Sequence, residues 1–125
     1  MAAPNLASVT SIYGKTVFDA DIATTKSAIL TNAASSDKLL KVSSLIISNI
    51  DGSAGADITA TIENAAGNSV NSTIAKTIAV PADATLVLIS KDTSIYLEED
   101  MSIHLLSSVA GDLSATCSYE EIDDA

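Results

Sequence analysis

Apolar and polar residues alternate along this chain in short runs, and Gly, Pro or Asn/Asp/Ser clusters close most of them. Side chains of a strand point to opposite faces with a period of two, so the pattern predicts half-buried β-strands. The cleanest run is Asp57 to Asn64, with Ile58, Ala60 and Ile62 inward and Thr59, Thr61 and Glu63 outward. The longest is Leu39 to Ile50. There Val42, Ser44, Ile46, Ser48 and Ile50 share one face and Leu45 and Ile47 the other. That pattern predicts a strand buried on both sides at its centre, or bent so that it changes faces.

The remaining runs are shorter. Ser8 to Ile22 reads as two strand-like pieces around Gly14, and Lys26 to Thr31 as another strand. Gly67 and Asn68 predict a hairpin turn between Asp57–Asn64 and the next run, Ile74 to Val80. In that run Ile74, Ile78 and Val80 share a face until Pro81, which cannot donate to a ladder, ends it. Thr85 to Leu106 then packs strand, connection, strand, acidic turn and strand into twenty-two residues. Leu86 and Leu88 against Val87 and Ile89 predict an interior strand, and Met101, Ile103 and Leu105 oppose Ser102 and His104. Leu113 to Tyr119 is the last strand, before the acidic end Glu120 to Ala125.

About nine strands at spacings near 8–12 residues are the signature of a sandwich or barrel. The expected fold is all-β, a single antiparallel β-sandwich, jelly-roll-like or immunoglobulin-like, with no helical periodicity and no linker. Residues 1–7 read as an N-terminal arm, free or lying across a neighbouring subunit. Residues 8–122 form the sandwich, and residues 123–125 are an acidic tail.

Composition sharpens this in two ways. Aromatics are only 3% of residues while hydrophobics are 47%, so the core is made of small and β-branched side chains suited to the thin layer between two sheets. With few large anchors, stability is expected to lean partly on neighbouring subunits. Charge is lopsided, with six lysines, no arginine, sixteen acidic residues and a net charge of -10. No basic stripe exists to neutralise phosphates, so nucleic acid is excluded as a partner, and an anionic membrane would repel the chain. The first ten residues lack the charged and apolar regions of a secretion signal, so synthesis in a reducing cytoplasm is expected.

Candidate chemistry is thin. Cys117 is the single cysteine and falls with the apolar set of its strand, which predicts a buried structural thiol. His104 is the single histidine, on the polar side of its strand, and no GxSxG elbow accompanies it. It is expected to be solvent-facing or hydrogen-bonded rather than a catalytic base. Glu98-Glu99-Asp100 and Glu120-Glu121 with Asp123-Asp124 lack calcium-loop spacing and read as a solvated turn and tail. One histidine and one cysteine cannot complete a four-ligand zinc site, and no glycine motif supports a nucleotide. The expectation is therefore no catalytic residue, no metal, no cofactor and no enzymatic activity.

The run AKTIAVPADATLVLISK from Ala75, IYLEEDMSI from Ile95 and the closing SYEEI from Ser118 to Ile122 resemble the C-terminal half of a family of small virion proteins. These occur in tailed bacteriophages of marine bacteria, cyanobacterial phages included. MAAPN, Tyr13-Gly14-Lys15-Thr16 and Ser48-Asn49-Ile50-Asp51-Gly52 extend the resemblance over nearly the whole chain. Asp100-Met101 stands where the family has Gly-Asp, so the turn lacks the residue best suited to positive φ. The resemblance implies a non-enzymatic structural protein, a capsid decoration (cement) protein on the outside of the head shell. It would be a homo-oligomer, a trimer favoured, with the major capsid protein or other virion proteins as partners. A ring-forming tail, neck or fibre-associated protein is the alternative, and a host-surface carbohydrate-binding module is another. On the decoration reading Ala2, Ala3, Pro4 and Asn5 are the contacting arm, and Lys15, Lys38 and Lys41 meet acidic shell surfaces.

Overall fold

The computed structural model describes residues 4–123. Nine strands form two antiparallel sheets: β1 (Ser11–Asp19), β2 (Ser27–Asn32), β3 (Lys38–Asn49), β4 (Ala56–Glu63), β5 (Val70–Val80), β6 (Thr85–Ile89), β7 (Ile95–Leu97), β8 (Met101–Ser107) and β9 (Leu113–Asp123). One sheet has the order β1-β9-β3-β6, with β7 beside β6 on the same flank of β3, and the other has the order β2-β8-β4-β5. The chain passes from sheet to sheet at nearly every connection, staying within one only for the β4–β5 hairpin and the β6–β7 step. This wrapping is that of a jelly roll rather than an immunoglobulin domain, whose neighbouring strands form more same-sheet hairpins. Of the two topologies the pattern left open, the first is the one adopted.

Between the sheets lies a single layer of aliphatic side chains. Val42, Leu45, Ile47, Leu97, Leu113, Ala115 and Cys117 come from the five-stranded sheet, and Ile58, Ala60, Ile103 and Leu105 from the four-stranded one. All are nearly inaccessible, and the alternation that predicted them holds because a period of two delivers one set of side chains to one layer. Two buried asparagines stitch the layers together. Asn32 of β2 donates to Lys38 O and Leu97 O across the gap, and Asn49 of β3 donates to Ala54 O and Val80 O. Each side-chain amide thereby links its own strand to a carbonyl of the facing sheet.

The long strand β3 does change faces. A bulge between Val42 and Ser44 lets Val42, Leu45 and Ile47 all point inward while Ser44, Ile46 and Ser48 point out. A related irregularity overturns the reading of β5. Thr77 has φ 46°, outside the usual range for a β-branched residue, and the β4–β5 register shifts three times. Ala75 and Val80 are buried in consequence, while Ile78 is exposed. The interior position expected for β6 is also corrected: β6 is a sheet edge, and Val87 is 55% exposed. Alternation on both faces of a five-residue strand cannot distinguish an interior strand from an edge whose outer face is apolar. At the chain's end, β9 continues through Asp123, so Glu120, Glu121 and Asp123 belong to a strand rather than a solvated tail. Asp124 and Ala125 lie outside the described residues.

Candidate functional site

Among the described residues, chemistry and exposed apolar surface are concentrated at the back of the four-stranded sheet, the end of the sandwich near Glu121, and the back of the five-stranded sheet.

Thr61 and Glu63 of β4 and Ser102 and His104 of β8 point away from the core, yet Glu63, Ser102 and His104 are buried. The β4–β5 loop folds over them. Asn64 O accepts from Ser102 Oγ at 2.8 Å, and Ala65 N donates to Asp100 Oδ1 at 3.1 Å. Gly67, at φ 74°, lies so close that a Cβ there would stand 2.6 Å from His104 Nε2. Beneath this lid Lys26 Nζ donates to Glu63 Oε1 at 2.7 Å and Thr61 Oγ1 donates to Glu63 Oε2 at 2.5 Å. Burial pushes the Glu63 carboxyl up, but the Lys26 and Thr61 hydrogen bonds and the charges of His104 and Lys26 outweigh it, so the group titrates below the ordinary glutamate range. Ser102 Oγ lies 3.1 Å from His104 Nδ1. This places Ser, His and Glu together, but Ser102 is fully buried and bonded to a backbone carbonyl, and the Glu63 oxygens are held by Lys26 and Thr61. The histidine expected to be solvent-facing or hydrogen-bonded is hydrogen-bonded and covered. The cluster holds the loop down.

The sequence-predicted contacts divide. Ala2 and Ala3 lie outside the described residues. Pro4 is buried and lines, with Leu6, Leu39, Tyr96 and Glu98, a hollow on the back of the five-stranded sheet, while Asn5 is exposed and accepts from Ala7 N in a local turn. Lys15 and Lys38 both reach Glu121, at 2.9 and 3.5 Å. The Lys15 hydrogen bond, against a smaller opposing effect of burial, holds Glu121 below the usual carboxylate range. Those two lysines are thus engaged within their own chain. Lys41 makes no ion pair among the described residues and lines a hollow with Ser43, Ser44, Lys91, Ser94 and Glu120.

The back of the five-stranded sheet was not singled out from the sequence. Its register puts Phe18, Thr116, Ile46 and Val87 in one row across β1, β9, β3 and β6. Phe18 is 73% exposed, and beside the row Ile50 is 59% exposed. Phe18, Ile50, Ala20 and Thr116 line a shallow hollow of about 370 Å³ rimmed by Asp19. Near this end Asp112 is held above the ordinary aspartate range by burial and by the carboxylates of Asp51 and Asp21. The signal was present in Val17-Phe18, where adjacent apolar residues must face opposite ways.

No family model matches this chain, and no curated protein matches it. Among solved structures it is similar to a chain from the study of Bacillus endospore appendages described as disulfide-linked pili, with TM-score 0.52 and 14% identity over 92% of this chain and 90% of that one. It also overlays a chain of infectious bursal disease virus, Gx strain, with TM-score 0.42 and 13% identity over 94% of this chain and 34% of that one. The first likeness supports the fold. Disulfide linkage has no counterpart in Cys117, which is buried in the core and whose thiol is pushed up to about 11 by burial.

Proposed function

We propose that this is a non-enzymatic virion structural protein of a tailed phage, a decoration protein that binds the outside of the head shell through the back of its five-stranded sheet. The observation that carries the reading is the row Phe18–Thr116–Ile46–Val87, exposed at Phe18, Thr116 and Val87 and half-buried at Ile46, with exposed Ile50 beside it. Contiguous exposed apolar surface on a small domain marks a contact with another macromolecule. The other concentration of functional side chains, around His104, is sealed. The resemblance of AKTIAVPADATLVLISK, IYLEEDMSI and SYEEI to small phage virion proteins supplies the setting. Lys41 and Lys91 on the same side of the molecule offer cationic contacts to an acidic shell, whereas Lys15 and Lys38 are occupied by Glu121.

Quantitative mass spectrometry of purified particles tests the location. On the order of hundreds of copies is expected for a shell protein, and a small multiple of a ring's symmetry would instead assign it to the neck or tail. Replacing Ile46 and Val87 together by lysine is expected to strip the protein from particles while leaving it folded. Full occupancy by that variant would reject the proposed face.

A further inference from the structure

The two sheets have four edges, and three of them are blunted. In β2 the register with β8 slips between Ala28 and Leu30. In β5 the register with β4 slips three times, around the left-handed Thr77, and Lys76 is exposed. The flank formed by β6 and β7 is interrupted by a single 3-10 turn at Lys91–Thr93, leaving pieces of five and three residues. Such bulges, breaks and charges are the devices by which sheet proteins avoid pairing edge to edge.

β1 has neither bulge nor break, and its two charges offset each other. It is the outer strand of its sheet and pairs with β9 through nine consecutive residues, Ser11↔Asp123 to Asp19↔Ala115, without a shift. It contains no proline, and Ile12 and Tyr13 are each 54% exposed, in addition to Phe18. A lysine commonly guards such an edge, but Lys15 is drawn back onto Glu121 at 2.9 Å. With Asp19 at its far end as its single acid, the edge is close to neutral in a chain whose net charge is -10.

We propose that β1 is a pairing edge through which two copies of this chain join, β1 to β1 and antiparallel, into a two-fold dimer. The choice of a second copy follows from the contrast among edges. The protein's other edges are too short or too irregular to receive nine residues in register, so the long regular strand that a copy can offer β1 is its own β1. Contact of a patch with itself is isologous and closes at two subunits, not three. A register centred on Lys15 sets Ile12 of one copy opposite Phe18 of the second copy on the outer face and Tyr13 opposite Val17 on the inner face. The two Lys15 side chains then meet already neutralised by Glu121 of their own chains. The result is one continuous sheet built from two five-stranded halves, with the exposed apolar rows on the same side. The pairing is independent of where in a particle the protein resides.

A strand pair of this length is roughly 30 Å long. It covers far less than the roughly 800 Å² per partner of a standard interface. The free subunits should therefore associate weakly, with Kd in the range of ~10–1,000 μM. Salt should tighten the dimer, because two acidic chains repel one another until screened.

Sedimentation equilibrium from micromolar to ~1 mM protein, at low and high salt, reads this directly. The wild type should dimerise more tightly in salt. Ile12→Lys combined with Phe18→Lys should weaken the dimer at least ten-fold, and Val70→Lys with Ile78→Lys, on the β5 edge, should leave it unchanged. On the unmodified protein, amide hydrogen exchange should show β1 gaining protection with concentration while β5 does not. A wild type that stays monomeric throughout, a β5 variant that weakens association as much as the β1 variant, or protection appearing elsewhere than β1 would each overturn the proposal. So would an edge that binds only an added basic, apolar peptide and releases it in salt, since that edge would serve a foreign strand.

Discussion

The backs of the two sheets carry opposite chemistry. Behind the four-stranded sheet, the polar side chains at the β4–β5 end are buried: Glu63, Ser102 and His104 lie beneath the Asn64–Ser69 loop with their hydrogen bonds made inside the molecule. Behind the five-stranded sheet Phe18, Ile50 and Val87 lie open around a half-buried Ile46, with only serines and threonines between them. One back is finished by its own chain, and the other is left for something else to finish. A buried polar network is costly unless each member is satisfied, so the covered side must be rigid and specific. An exposed apolar row makes no such demand on the fold and can be spent on recognition.

Substitutions separate the two sides in order of effect. Gly67→Val should be the most damaging, because it forces a β-branched residue into a left-handed conformation and drives its Cβ into His104. About 3 kcal/mol of stability should be lost by chemical denaturation. Loss below about 0.5 kcal/mol would show that the loop does not close over the histidine. Lys26→Met comes next. It leaves the fully buried Glu63 without its cation, and since Lys26 is itself 40% exposed, the loss at neutral pH should be about 2 kcal/mol rather than the full value for a sealed pair.

The same pair fixes a pH dependence. Glu63 titrates lower in the folded chain than in the unfolded one, so its contribution is fully present above the ordinary value of about 4.3 and is lost as pH falls through the lower folded value. The gap between wild type and Lys26→Met should accordingly narrow on acidification through that window. A gap that stays constant in a pH series of urea melts would remove Glu63 from the explanation.

Asp100→Gly should be near neutral, within about 0.5 kcal/mol. Asp100 has φ 64°, which glycine adopts more easily, but its carboxylate accepts from Ala65 N, and the gain and the loss oppose each other. Smallest of all, Val87→Thr on the open back should leave the melting temperature unchanged while weakening any contact made there. A loss above about 1 kcal/mol would mean that the row is core rather than interface.

Much of the fold was legible. Alternation in Asp57–Asn64 and Met101–Ser107 assigned the inward residues correctly, and the face change in Leu39–Ile50 is the bulge at Ser43. Cys117 was correctly placed among the core residues. The site was less legible. Lys15 and Lys38 looked like free cations because nothing in their neighbourhood of the sequence reveals Glu121, which is more than eighty residues away in Lys38's case. Glu63 was correctly given the outward face, but alternation says nothing of the loop that covers it there. Asp100 takes up a left-handed turn position without being glycine, as a short polar side chain can.

Local chemistry thus determined which residues form strands, where they stop and which side chains go inward, because period, proline and glycine act within a few residues of chain. Tertiary structure decided which strands became edges and which outward faces were covered. Those depend on sheet order and on where a loop such as Asn64–Ser69 lands, and both are set by contacts between residues far apart in the chain. Val87 and Glu63 show the consequence: an apolar residue left in water and a carboxylate taken out of it, each on the face its alternation required.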